Sequence, residues 1–225
     1  MHSMLSAVAF ATLIAAGTPA HATPASAPAS AASSATRALH RVDGFRSAHW
    51  GMDETGLRAA IGHDFPDAAG SVRPVEDAAG TRALAVRVDH LEPGPGAAEL
   101  TYILDTRTQR LTHVNVVWST GATPDAAERG RMAGAAAQLT NYFHRQAWPS
   151  GATTQRLAAD ASFAVVFVGV DPQAEAVEVR LSGVVFERPG LPPSVPTGPA
   201  VLRVAYFATI AAEASSAPAP GNPAR

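Results

Sequence analysis

Four stretches of this chain alternate apolar with polar or small residues, the period of two that places every second side chain on one face of a strand, and two further apolar runs read as strands beside them. Leu84, Val86 and Val88 do so within Arg82 to Leu91, Leu100, Tyr102 and Leu104 within Ala98 to Asp105, and Val114, Val116 and Trp118 within Arg110 to Ser119. After an interruption come Ser162 to Val170, Ala176 to Glu187 and Ala200 to Ile210. In the second of these Val177, Val179 and Leu181 are separated by Glu178 and Arg180. The links Glu92 to Gly96 and Thr106 to Gln109 are short and turn-like, so the first three strands are expected to form an antiparallel meander. Strands with one apolar face must bury it against another layer, and that requirement limits the chain to a few architectures.

A helical segment precedes each run. Asp53 stands where an N-cap belongs, Leu57 and Ile61 lie four apart on one face, and Gly62 is expected to end the helix after barely two turns. So short a helix is not stable by propensity, and Trp50 and Met52 are expected to anchor its start. The second helix is expected from a Thr123 cap through Pro124 and Asp125, with Met132, Ala136, Leu139 and Phe143 as its buried stripe. Gly130 and Gly134 each cost about 1 kcal/mol in a helix interior relative to alanine, so they are expected where the backbone meets a neighbour closely. Arg129, Arg131 and Arg145 read as a solvated face, and Trp148 before Pro149 as an exit anchor. The stretch "RPGLPPSVPTGP" is too rich in proline to pair. The fold class is therefore α+β, helix plus three strands given twice, with helices on one face of one antiparallel sheet or of two side by side.

Composition narrows function. The chain has 225 residues, 47% hydrophobic and 16% charged, enough for a packed core without staples. With no cysteine there is no disulfide, thiolate metal site, thiol nucleophile or acylated cysteine anchor. All 17 basic residues are arginine, which removes Schiff-base and phosphate-cradling lysines. Net charge is -2 and the arginines are scattered, so no nucleic-acid partner is expected. Residues Met1 to Ala22 have an apolar run, a Gly17/Pro19 break and an Ala-x-Ala site at Ala20 and Ala22, the layout of a cleaved secretory signal. Its n-region carries no arginine or lysine. A run this short does not make a stable membrane anchor. Thr23 to Thr36 and Ala214 to Arg225 are Pro/Ala/Ser-rich and read as a flexible linker and tail around a folded unit from Arg37 to Glu213. The expected location is the periplasm or the medium.

The order Gly51-Met52-Asp53, Leu57, Ile61-Gly62 resembles the "G-M-[S/T]-x-x-x-V-x-x-x-L-G" helix of small envelope proteins of the outer-membrane lipoprotein SmpA/OmlA type, and beta-lactamase-inhibitor-protein-like folds share a similar arrangement. With Phe45-Arg46 and Trp50-Gly51-Met52, the chain also resembles exported bacterial proteins of unknown function that carry Phe-Arg-x-x-x-Trp-Gly-Met before such a helix. This second resemblance covers more of the chain. Asp53 replaces the usual hydroxyl residue, Leu57 replaces valine, and the anchoring cysteine is missing. The resemblance implies a noncatalytic envelope or secreted module, and it carries over no catalytic residue.

No histidine pair has metal-binding spacing and no Gly-x-Ser-x-Gly elbow occurs, so no catalytic residue, metal ligand or cofactor is assigned. His90 and His113 fall in neighbouring strand candidates where they can face each other, with Asn115 near, and these three are the candidate binding residues. Trp50, Trp118 and Trp148 sit at ends of apolar elements and read as core or anchors. A sheet face left uncovered is the natural binding surface. The expected function is thus an exported binding module for an envelope or secreted protein. The alternatives are a small exported enzyme with a His/carboxylate site, or a carrier of an apolar small molecule between sheet and long helix.

Overall fold

All six strand candidates form strands in the computed structural model, which describes residues 38–78, 80–157, 163–186 and 196–209. The expected signal, linker and tail lie outside the described residues. A two-stranded hairpin, β1 (Gly44–Phe45) and β2 (Ala48–His49), leads into helix α1 (Glu54–Asp64) and a 3-10 turn (Pro66–Ser71). Four strands follow: β3 (Arg73–Glu76), β4 (Arg82–Val88), β5 (Ala98–Leu104) and β6 (Leu111–Ser119). Helix α2 (Ala126–His144) then precedes β7 (Thr153–Leu157), β8 (Phe163–Val170), β9 (Ala176–Ser182) and β10 (Val201–Phe207).

These eight strands make one antiparallel sheet in the order β3-β4-β5-β6-β10-β9-β8-β7. The repeat is helix plus four strands, and its two halves join where the last strand of each pairs, β6 against β10 from Val201↔Ser119 to Phe207↔His113. The fold is α+β, as the alternation implied; the choice between one sheet and two resolves as one. The two strands without a sequence signal, β3 and β7, are the sheet's edges. Both are short and mostly exposed, β3 carries Pro74, and the β7 pairing shifts register between Thr154 and Arg156, so neither has an apolar rhythm to read.

One side of the sheet holds the core. Leu84, Leu100, Tyr102, Val114, Val116, Leu202, Val179 and Phe167 are buried there together with Leu57, Ile61, Met132 and Phe143 of the helices. The helix ends depart from expectation in ways that capping explains. Asp53 caps α1 by accepting from Gly56 N at 2.9 Å, but the helix runs through Gly62 to Asp64, eleven residues, before Phe65 closes it. Gly62 does not take the left-handed conformation of a helix-ending glycine, and a Cβ there would meet only the Ala69 Cβ at 3.8 Å. For α2 the cap is Asp125, not Thr123: its carboxylate accepts from Glu128 N at 2.7 Å, and Glu128 accepts from Asp125 N at 2.9 Å, a reciprocal capping box. Arg129 is not on a solvated face. It donates from α2 to the carbonyls of Gly183 and Gly198, tying the helix to the β9–β10 connection.

Gly130 and Gly134 are also corrected. Both are exposed, and a Cβ at either would meet nothing within 4 Å. They serve no close approach, so Gly130→Ala and Gly134→Ala should each raise stability by up to about 1 kcal/mol. Urea unfolding of the double variant should show a higher midpoint with an unchanged slope, and a lower midpoint would contradict this reading.

The three tryptophans are anchors. Trp50 Nε1 donates to Val42 O at 2.5 Å, Trp118 Nε1 to Leu91 O at 2.9 Å and Trp148 Nε1 to Phe143 O at 2.8 Å. Each ring therefore packs with its one polar atom satisfied.

Candidate binding surface

Since α1, α2 and the β1–β2 hairpin all pack on the core side, the opposite face of the sheet carries no helix among the described residues. Register shows what that face presents. Arg87↔Glu99, Glu99↔Val117, Val117↔Arg203, Arg203↔Arg180, Arg180↔Val165 and Val165↔Arg156 place one continuous row across seven strands, β4 to β7. Next to it runs a row through Arg73, Ala85, Thr101, Asn115, Ala205 and Glu178. The small side chains Ala85 and Ala205 lie buried between longer neighbours, while Ile103, Val117 and Val201 remain partly exposed. The surface is mixed, with apolar side chains set between arginine and glutamate.

Within it Arg203 donates from Nε and Nη2 to Asn115 Oδ1 at 2.9 and 2.7 Å. Arg180 approaches Glu178 at 3.4 Å and lies over the Phe163 ring at 4.6 Å, and Arg73 pairs with Glu99. Arg203 and Arg180 stand directly opposite each other on paired strands, an arrangement that is unfavourable for like charges.

The three candidate binding residues separate. His113 and Asn115 are on β6 and share this face, but His90 follows β4, exposed in the turn, with Glu92 3.9 Å away. β4 and β6 are not neighbours, because β5 runs between them. His113 faces Ile103 and Phe207, its ring edge-on to Phe207 at 5.0 Å, and burial followed by the nearby Arg203 charge holds its pKa below the ordinary value. Its ring is held in an aromatic contact, away from His90. Among the described residues no three His, Asp or Glu side chains are grouped so as to hold a metal ion. The arginines of the row were missed because alternation reveals which residues share a face on one strand, whereas only register reveals which meet across strands.

Elsewhere, Asp64 at the end of α1 is held by a defined set of donors. Burial alone would raise its pKa, but the Ser47 hydroxyl at 2.7 Å and Ser47 N at 3.0 Å, with His63 beside them, hold it below 3.8. A depressed carboxylate stabilises the fold above its unfolded pKa, and that contribution disappears as pH falls through the lowered folded value. Ser47→Ala should therefore cost about 1–2 kcal/mol at pH 7, with the gap from wild type narrowing below about pH 4. Urea unfolding at pH 7 and at pH 2.5 checks it; a gap constant with pH would show that the hydroxyl does not act through Asp64.

On the core side, a partly open space lined by Phe45, Arg46, Glu92, Trp118, Leu139 and Tyr206 between hairpin, α2 and sheet has a volume of about 110 Å³. Among the described residues no helix is long and apolar enough to cross a membrane. Compared with family models, curated proteins and solved structures, the chain matches none.

Proposed function

We propose that this protein is an exported binding module that meets an envelope or secreted protein through the helix-free face of its sheet. The observation that carries the reading is the face itself: a single eight-stranded sheet with its helices on one side and rows of partly exposed, mixed side chains on the other. Ile103, Val117 and Val201 supply apolar contact there, and the arginines supply a side chain enriched at binding hot spots. The edges are poorly suited to strand addition, since β3 is four residues long with Pro74 in it and the β7 pairing is irregular. The carrier alternative is less well supported, because the space between hairpin, α2 and sheet, at 110 Å³, is well below the roughly 300–1,000 Å³ of small-molecule sites, and the larger recesses of about 370, 540 and 550 Å³ lie open at the surface. The enzyme alternative loses its histidine pair to the separation of His90 and His113.

Export supplies the setting, resting on the Leu5 to Ala16 apolar run and the Ala20/Ala22 site. Mass spectrometry of the protein from its host should find Thr23 at the N-terminus; an intact Met1 end on the accumulated protein overturns export. For the surface, a photo-crosslinking side chain placed at Ile103, Val117 or Val201 should capture one recurrent partner in the host envelope or medium. The same group at Tyr142, exposed on α2, should not. Crosslinks confined to Tyr142 would move the surface to the helix side, and turnover of a defined substrate lost on one side-chain change would replace the reading with an enzyme.

A further inference from the structure

The helix-free face carries a charge opposite in sign to that of the whole chain. Its described strand residues include five arginines, Arg73, Arg87, Arg156, Arg180 and Arg203, against two glutamates, Glu99 and Glu178, an excess of three positive charges on a chain whose net charge is -2. The glutamates are already engaged, with Arg73 and with Arg180. At the centre, the only side-chain bonds of Arg203 among the described residues go to the neutral Asn115, and no carboxylate lies within ion-pair distance. Its cross-strand neighbour is another arginine. Such a pair costs stability in the free protein, and a carboxylate arriving between the two guanidiniums would relieve it, with the fork geometry that favours bidentate contacts.

We propose that the partner of this face is an acidic protein segment whose carboxylates seat along the row from Arg203 to Arg156, with apolar side chains between them meeting Val117 and Val201. This rests on the binding-module reading and specifies its partner. The interleaved Glu99 and Glu178 disfavour a continuous phosphate backbone, which would run past them, whereas an acidic peptide can place neutral residues there. A second copy docking by its helix side would make a head-to-tail contact that extends without closing, so self-assembly is not the occupant chosen.

The test titrates the purified full chain with two labelled twelve-residue peptides by fluorescence anisotropy at low and physiological salt. One peptide alternates glutamate with valine, and the other has glutamine in place of each glutamate. The glutamate peptide should bind at least about tenfold tighter, with affinity falling as salt rises. Arg203→Gln should weaken it about tenfold and Arg156→Gln, nearer the edge, about threefold, while Arg58→Gln on α1 leaves it unchanged. Circular dichroism confirms that each variant is folded. Equal binding of the two peptides overturns the proposal, as does an affinity indifferent to both Arg203→Gln and Arg156→Gln. So does a DNA duplex that binds as well as the peptide, or self-association that occupies the face. The crosslinking experiment does not depend on charge, so face crosslinks together with equal peptide binding would remove the acidic partner and leave the binding module standing.

Discussion

Gly94→Ala is expected to cost about 3 kcal/mol, because the added methyl would stand 2.0 Å from Nε1 of Trp118 and 2.2 Å from its Cδ1. The ring cannot move aside cheaply. It is buried in the core, and its Nε1 holds the Leu91 carbonyl across the β4–β5 connection. Displacing it breaks that bond and opens space against Val116 and Leu202 at once. Thermal unfolding should drop by roughly 6–12 °C for a chain of this size. Gly96→Ala, two residues on, is the control: nothing lies within 4 Å of its Cβ position, and it should unfold near the wild-type temperature. A wild-type transition for Gly94→Ala would mean that the turn relaxes around the ring.

Asp171→Ala should be comparably severe, about 3–5 kcal/mol. This is the one buried charged or polar side chain among the described residues, at 4% exposure. One carboxylate oxygen accepts from Gln173 N at 2.7 Å and Glu175 N at 3.0 Å, closing the β8–β9 turn. The other accepts from Val42 N at 3.0 Å and faces Arg41 Nε at 3.3 Å. Alanine leaves three backbone N–H groups without their acceptor, two in the turn and one on the segment before β1. That segment keeps His40 N to Ala147 O at 2.7 Å and the contact of the His40 ring with Trp148 at 4.6 Å. Asp171→Asn should be milder, since its carbonyl oxygen can keep the turn while its amide cannot accept from Val42. Hydrogen exchange at Val42 separates the two sites: it should accelerate in both variants, whereas Gln173 and Glu175 should accelerate chiefly in Asp171→Ala. Protection at Val42 unchanged in Asp171→Asn would show that the segment is held by other contacts.

The sequence rhythm was informative wherever one face of an element is buried and uninformative where neither is. Leu84, Leu100, Val114 and Val179 announced their strands because each faces the core, while Arg73–Glu76 and Thr153–Leu157 stayed hidden at edges that alternate nothing. The Asp53 cap was legible from its position ahead of an apolar pair. Thr123 misled because it too precedes the helix, and only the reciprocal bonds between Asp125 and Glu128 decide between them. The candidate site was legible only as a face. Asn115 and Arg203 are 88 positions apart, and nothing short of the β6–β10 register brings them within 2.7 Å. His90 was placed beside His113 by treating Asp89 to Leu91 as strand, although β4 ends at Val88 and β5 intervenes.

That same β6–β10 seam governs the order in which the molecule is assembled. β6 ends about 80 residues before β10 begins, so during synthesis the first half waits with its inner edge unpaired while α2 and three more strands are made. An unpaired strand of valines is an invitation to any other extended chain, and the nearest one of matching register is the β10 of a sister molecule. Concentrated refolding should consequently yield exchanged dimers in which each copy lends its final strand to the other. A chaperone that shields β6 until the last strand emerges would suppress them.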